Sequence, residues 1–256
     1  MSLNPLSLFR AMPGSIAQGM IWGVMALGVY ITFRLLDFAD LTVDGSIATG
    51  AAVSVMLIRA GVSPIATLPI AFLAGALAGM VTGLLNTALG IPGILASILT
   101  QISLYSINLN IMGKANQAVN GNKYNLLVSL RNVKNVPFYQ NTILIVAIFI
   151  VVLIAILYWF FGTELGCSLR ATGCNPNMSR AQGINTNVCK VLGLMISNGL
   201  VGLCGALYGQ FQGASDVNMG RGAIVIGLAA VIIGEVLFGK FASKRKLAFA
   251  FTLASV

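Results

Sequence analysis

The sequence predicts an all-α fold, a polytopic bundle of transmembrane helices in which some helices are broken or re-entrant. Only 8% of the 256 residues are charged and 57% are hydrophobic, against about 25% charge in a domain that faces water. Several apolar runs reach the ~20 residues needed to cross a hydrocarbon core of about 30 Å. Glycines recur at intervals of three or four residues inside two of those runs, a spacing that lets helix backbones approach closely in lipid.

Charge distribution narrows the function classes. The formal charge of +9 comes from cations that fall mostly between the apolar runs. That pattern sets membrane orientation and argues against nucleic acid as a partner. Histidine is absent, and Cys167, Cys174, Cys189 and Cys204 show no Cys-x-x-Cys spacing, so no metal site is expected. The amino-terminal residues "MSLNPLSLFRAMPGS" lack the pattern of a cleaved signal peptide, which makes the first span the expected anchor.

Taken in order, residues 15–36 form the first span, with Arg34 near its end. The run "DFADLTVDGS" follows and places Asp37, Asp40 and Asp44, half of the six acidic residues, within eight positions. The next apolar segment, 46–58, is short and rich in Ala, Gly, Ser and Thr. It predicts a broken or re-entrant helix, tolerated only where protein or a water-filled cavity satisfies its backbone. Two readings of the aspartates stay open. They coordinate a cation or proton, or they cap the broken helix and pair with Arg34 or Arg59.

Residues 64–89 form a strong span with Gly75, Gly79 and Gly83 on one face. The span 91–112 opens with Pro92-Gly93 and carries Thr100, Gln101, Ser103, Asn108 and Asn110. So many polar groups are not expected to face lipid. Thr100, Gln101 and Ser103, with Asn86 and Asn198 from other spans, are translocation-path candidates. Hydrogen bonding between helices is the alternative role for all five. A polar segment, 113–141, precedes the aliphatic span 142–162 with its "LYWFFG" end. Span 187–213 carries Gly199, Gly202, Gly205 and Gly209, and 222–239 closes on the basic run "KFASKRK". The final run, "LAFAFTLASV", is too short to cross, so either the chain ends partway into an apolar run or further spans follow residue 256. One membrane domain is expected over 1–256. The segments 163–190 and 240–246 together carry seven cations and the opposite segments five, which puts 163–190 in the cytosol. The side of the amino terminus depends on whether 46–58 crosses.

Between the spans lies "ATGCNPNMSRAQGIN", residues 171–185. Asn175 before Pro176 suits a helix start, since the residue before proline avoids helical angles and a cap must be non-helical. Gly183 suits a left-handed stop. The expected helix is 176–182, too short to be stable alone, so something must hold it. Either its own membrane domain or another protein would do so.

The stretch "LGCSLRATGCNPNMSRAQGIN" (165–185) resembles the cytoplasmic coupling segment of the permeases of ATP-binding-cassette importers, in the family that includes branched-chain amino acid and ribose permeases. Gly166, Arg170, Ala171, Gly173, Asn175, Ala181, Gly183, Ile184 and Asn185 carry the likeness. "DLTVDGSIATGAAV" (40–53) is similar to the Asp-Leu-Ser-Val-Gly-Ser segment of sugar permeases with Asp44 added, and "PGILASILTQ" resembles their Pro-x-Phe-Ile-x-Thr-Leu segment. "LDFADLTVDGS" looks most like the branch linked to tryptophan and tyrosine uptake. The resemblance implies a bacterial inner-membrane transport subunit, not an enzyme, that contacts cytosolic ATPase subunits. Pro176, Met178 and Arg180 would join the residues above in that contact. It also implies a second permease copy and an extracellular substrate-binding lipoprotein. ATP and magnesium would be held by partner chains and no cofactor by this one, which has no Gly-x-x-x-x-Gly-Lys-Ser/Thr loop. The solute implied is an amino acid, aromatic before branched-chain, with sugars and nucleosides behind them. Bulk at Gly173 or Ala181 is expected to uncouple transport without unfolding the chain. An ion- or proton-coupled carrier is the alternative; it calls for inverted repeats and charged midplane residues.

Overall fold

The computed structural model describes the backbone of residues 5–119, 126–128 and 142–242, and the side chains of 12–119, 126–128 and 142–236. The basic run 240–246, the terminal apolar run and most of the polar segment 113–141 lie outside the described side chains. Helices account for nearly all of the described chain: α1 (Pro5–Tyr30) extended by a π-helical turn (Ile31–Leu35), α2 (Thr42–Arg59), α3 (Pro64–Thr87), α4 (Gly93–Met112), α5 (Thr142–Gly162), α6 (Glu164–Cys174), α7 (Pro176–Ala181), α8 (Thr186–Gln212) and α9 (Ala223–Ala242). Two three-residue strands, β1 (Asn116–Ala118) and β2 (Ala214–Asp216), pair antiparallel with Gln117 opposite Ser215. The sequence pattern gave no sign of this ribbon or of α6.

Among the described residues, five helices are long and apolar enough to cross a bilayer: Met12–Leu35, α3, α4, α5 and α8. They divide by burial. About 72% of the apolar window of α8 is buried but only 17% of that of α5, so α8 is the axis of the bundle and α5 lies at its rim. Helices α1, α2 and α3 all pack on α8, and glycine makes this possible. Gly75 and Gly79 of α3 lie on the backbone of Asn198 and Leu194, and Gly83 lies on Val191. Gly202 returns the contact at Ala71 and Gly75, while Gly205 and Gly209 turn toward Ile47 and Ala51 of α2. One row of small residues therefore seats α8 against two neighbours on adjacent faces. Close backbone approach of this kind maximises dispersion contact where lipid offers no hydrophobic drive.

These contacts also fix the direction of each helix. Gly173 of α6 lies on the backbone of Leu35 and Leu36, so α1 ends on the face that carries α6 and α7. Helix α3 runs toward that face, since Gly75, Gly79 and Gly83 meet Asn198, Leu194 and Val191 in reverse order. Helix α2 runs away from it, beside the far half of α8. Helix α1 thus starts on the face opposite α6 and α7.

The expectation of a broken or re-entrant helix at 46–58 is corrected. Helix α2 is continuous, begins four residues earlier at Thr42 and is buried along most of its length. Its 18 residues span about 27 Å at 1.5 Å per residue. The break lies ahead of it, at 36–41, where the π turn closes through Leu36 N–H to Ile31 O and Phe38 N–H donates to Thr32 O. Asp37 takes a left-handed φ of 51° there, a conformation that Asp tolerates better than most residues. Gly, Ala, Ser and Thr in α2 reflect protein on every side, not a gap in the helix.

Substituting Gly79→Leu forces its side chain into the Leu194 backbone and is expected to cost about 1–3 kcal/mol of stability. Gly19→Ala faces open space and should cost nothing. Thermal unfolding of the purified protein in detergent checks the pair; equal midpoints for both variants and the wild type would contradict the packing.

Candidate functional site: the coupling segment and the helix break

The polar island forms two short helices joined at Asn175. Thr163 caps α6, its hydroxyl accepting from Gly166 N–H, and Gly166 lies so close to the Phe160–Phe161 backbone that α6 folds back directly from α5. Asn175 ends α6 and starts α7. Its own N–H donates to Ala171 O, and its side-chain oxygen accepts from Asn177 and Met178 N–H at 3.1 Å each. Pro176 holds the first helical position, where its missing N–H does no harm. Gly183, at φ 82°, closes α7: its N–H donates to Arg180 O, and Ile184 N–H donates to Ser179 O. That is a complete glycine stop, and it ends the helix at Ala181, one residue short of the expected 182. Asn185 then caps α8, accepting from Asn187 and Val188 N–H.

The expected coupling residues separate by what they touch. Asn175, Pro176, Gly183 and Asn185 shape the chain. Gly166 and Gly173 face inward against backbone. Arg170, Ala171, Met178, Arg180 and Ala181 are exposed, Ile184 partly so, and Met178 is 60% exposed. Arg180 Nε donates to Thr186 Oγ1 at 2.8 Å, tying α7 to the start of α8. Gly173 thus departs from the expectation that bulk would leave the fold intact, since any side chain there would displace α6 from Leu35. Ala181 has open space.

The break at 36–41 lies against this unit and reaches into the bundle. Leu36 packs on Gly193 of α8, and Phe38 packs over Gly93 at the start of α4. Asp40 is 2% exposed. One of its carboxylate oxygens accepts from Thr42 N–H at 2.9 Å, which satisfies a free donor at the start of α2. The other accepts from Asn198 Nδ2 at 2.6 Å. Asn198 sits midway along α8, also donates to Leu194 O, and accepts from Ser46 Oγ at 2.7 Å. Asp44 works further along: its oxygens accept from Gly222 and Ile224 N–H at 3.0 Å each, capping the start of α9. Two of the three aspartates therefore act as caps. Asp37 is exposed within the break. The expected arginine pairings are corrected: Arg34 bridges to Glu235 of α9 at 2.7 Å, and Arg59 donates to Gln117 of β1.

A profile of the family described as branched-chain amino acid transport system permease component matches residues 12–252. The chain belongs to that family. It is 42% identical over 226 residues to a tyrosine transport system permease protein of Clostridioides difficile, covering 88% of this chain and 73% of that one. An uncharacterized protein of Rickettsia prowazekii is 35% identical over 224 residues, covering 88% of this chain and 76% of its own. An inner membrane ABC transporter permease protein of Escherichia coli is 26% identical over 217 residues, covering 84% of this chain and 64% of its own. No solved structure matches the chain. The likeness to permeases of ATP-binding-cassette transporters in the tyrosine-type branch is thereby borne out, and with it a multi-pass membrane protein.

The polar residues of the permease spans fall into two groups. Asn198 is spent on the Asp40–Ser46 junction, and Asn86 Nδ2 donates to Ile91 O. Thr100 and Ser103 return their hydroxyls to their own helix, at Ala96 O and Leu99 O. Gln101 instead lines a cavity of about 320 Å³ between α2, α4 and the turn after β2. Asn108, a polar residue of α4 absent from the path candidates, lines the same cavity. Its signal in the sequence was an amide deep in an apolar run.

Replacing Asn198 by Leu strands the Asp40 carboxylate and the Ser46 hydroxyl. Each unsatisfied group costs about 1–3 kcal/mol, so the thermal midpoint in detergent should fall sharply. Ser103→Ala, whose exposed hydroxyl bonds only its own helix, should leave the midpoint unchanged. Wild-type stability of the Leu variant would rule out the junction.

Proposed function

We propose that this chain is the membrane-spanning subunit of an ATP-driven importer of amino acids in the bacterial cytoplasmic membrane. In this reading α7 sits in a groove on a cytosolic ATPase subunit, which holds the ATP and magnesium. Two copies of the chain build the pathway, and an extracellular binding lipoprotein delivers solute to the face opposite α7. Amino acids are favoured over sugars because the tyrosine transport permease is 42% identical to this chain, and an aromatic amino acid is favoured for the same reason.

One observation supports the ATPase contact above all. Helix α7 is capped at both ends, yet Met178, Arg180 and Ala181 all point to solvent. A helix of six residues gains little stability by itself. So much local capping around an exposed apolar methionine fits a peg shaped for another protein's surface. Backbone contact of Gly173 with Leu35 supports the lever, because displacement of α6 and α7 must carry the end of α1 with it. A paired arrangement is supported by α4, where Ser103, Tyr105, Ser106 and Asn110 are exposed. Polar groups at membrane depth need protein or water beside them.

Met178→Glu and Ala181→Glu alter only exposed positions, so detergent stability should match wild type. Co-purification of the ATPase and ATP-dependent uptake should each fall at least about tenfold, a loss of roughly 1.4 kcal/mol or more in association. Undiminished co-purification and uptake in both variants would remove α7 from the interface.

A further inference from the structure

The cavity of about 320 Å³ between α2, α4 and the turn after β2 is at the lower end of the size range of small-molecule sites, about 300–1,000 Å³. Its lining combines three kinds of group. Asp44 and Arg221 bring opposite charges, Gln101 and Asn108 bring amides, and Ile102 and Tyr105 bring an apolar side. Asn108 is 0% exposed, and neither atom of its amide has a partner. A buried unpaired amide is costly to leave unsatisfied, and a bound solute with both donors and acceptors would offset that cost.

The charged pair is built in place. Asp44 is fixed by Gly222 and Ile224 N–H, and its main chain lies against Gly220. The 217–222 turn is thereby held beside the first turn of α2, with exposed Arg221 at the rim. Gly45 is packed by Leu104, which brings α4 to the same corner. Three segments distant in sequence thus converge on one hollow whose fixed charges cancel.

We infer that this cavity is a solute site for a zwitterionic α-amino acid. Arg221 takes the carboxylate, Asp44 faces the ammonium group, Asn108 and Gln101 bond the polar backbone atoms of the solute, and Ile102 and Tyr105 cover its side chain. A sugar or nucleoside would leave the charge pair unused, and a simple cation or anion would match only half of it. The assignment rests on the importer reading for its biological sense, but the site itself is testable without the ATPase.

The experiment uses Ile102→Cys, at an exposed position on the cavity wall, in right-side-out membrane vesicles treated with a membrane-impermeant maleimide. L-phenylalanine should slow labelling. Phenethylamine, which lacks the carboxylate, and 3-phenylpropionate, which lacks the ammonium group, should need at least tenfold higher concentration for the same effect. Adding Arg221→Gln, at a solvent-exposed position that does not put folding at risk, should abolish the preference for phenylalanine over phenethylamine. Asn108→Ala should raise the half-protecting concentration of phenylalanine about tenfold. Equal protection by all three compounds, no protection by phenylalanine, or protection indifferent to Arg221→Gln would overturn the site. Co-purification of an ATPase from the same membranes separates the two ideas. An ATPase without protection sinks the cavity and leaves the importer, whereas protection without an ATPase keeps the cavity and sinks the coupling.

Discussion

The hydrogen-bonded junction between Asp40 and Asn198 is the point on which the rest of this architecture depends. It places the break, the start of α2 and the centre of α8 within a single polar cluster. Thr42 N–H and Ser46 Oγ complete it, so that the carboxylate and the amide are both satisfied. A buried carboxylate is tolerated only when its oxygens are bonded. The bonds available here come from two different segments, and the break at 36–41 is therefore locked to the bundle axis. From this one joint, the π turn reaches out to Gly173 on one side and α2 runs to the Asp44 cap on the other. Helices α6 and α7 and the cavity are thus linked by one short stretch of chain.

This continuity gives the polar residues distinct work. Asn198, Thr42 and Thr82 hold helices together, the last two through a hydroxyl pair at 2.8 Å. Gln210 does the same further along, donating to Ser54, Thr67 and Pro64 between α2, α3 and α8. Such groups resemble pathway residues in composition, yet their donors are already used, and of Gln210 only the side-chain oxygen is left without a partner. Residues free to meet a solute are those whose polar atoms remain unspent, and Asn108 stands out on that criterion.

What the sequence revealed followed from the range of the interactions involved. The caps of α7 were legible because Asn175, Pro176 and Gly183 act on neighbours within a few residues. Glycine spacing in α3 and α8 announced close packing, though not that one row of α8 would serve two partners. Helix α2 was misread because its small and polar residues look like a defect in isolation and become sensible only inside a ring of protein. The role of Asp44 was illegible: its partners are about 180 positions away. Helix α6 was missed because Gly166 and Gly173 entered the reading only through the resemblance, whereas both mark places where backbone meets backbone. The arginine pairings failed for a related reason, since nearness in sequence was the only guide to them.

The central claim is that α6, α7 and the end of α1 move as one body, through the backbone contact of Gly173 with Leu35. Pulsed electron spin resonance on the reconstituted transporter tests it directly, with labels at the exposed Cys174 and Phe33 in one sample and at Cys174 and Tyr105 in another. On nucleotide binding, the 174–33 distance should stay constant while the 174–105 distance changes. A shift in the 174–33 distance, with 174–105 unchanged, would contradict the account.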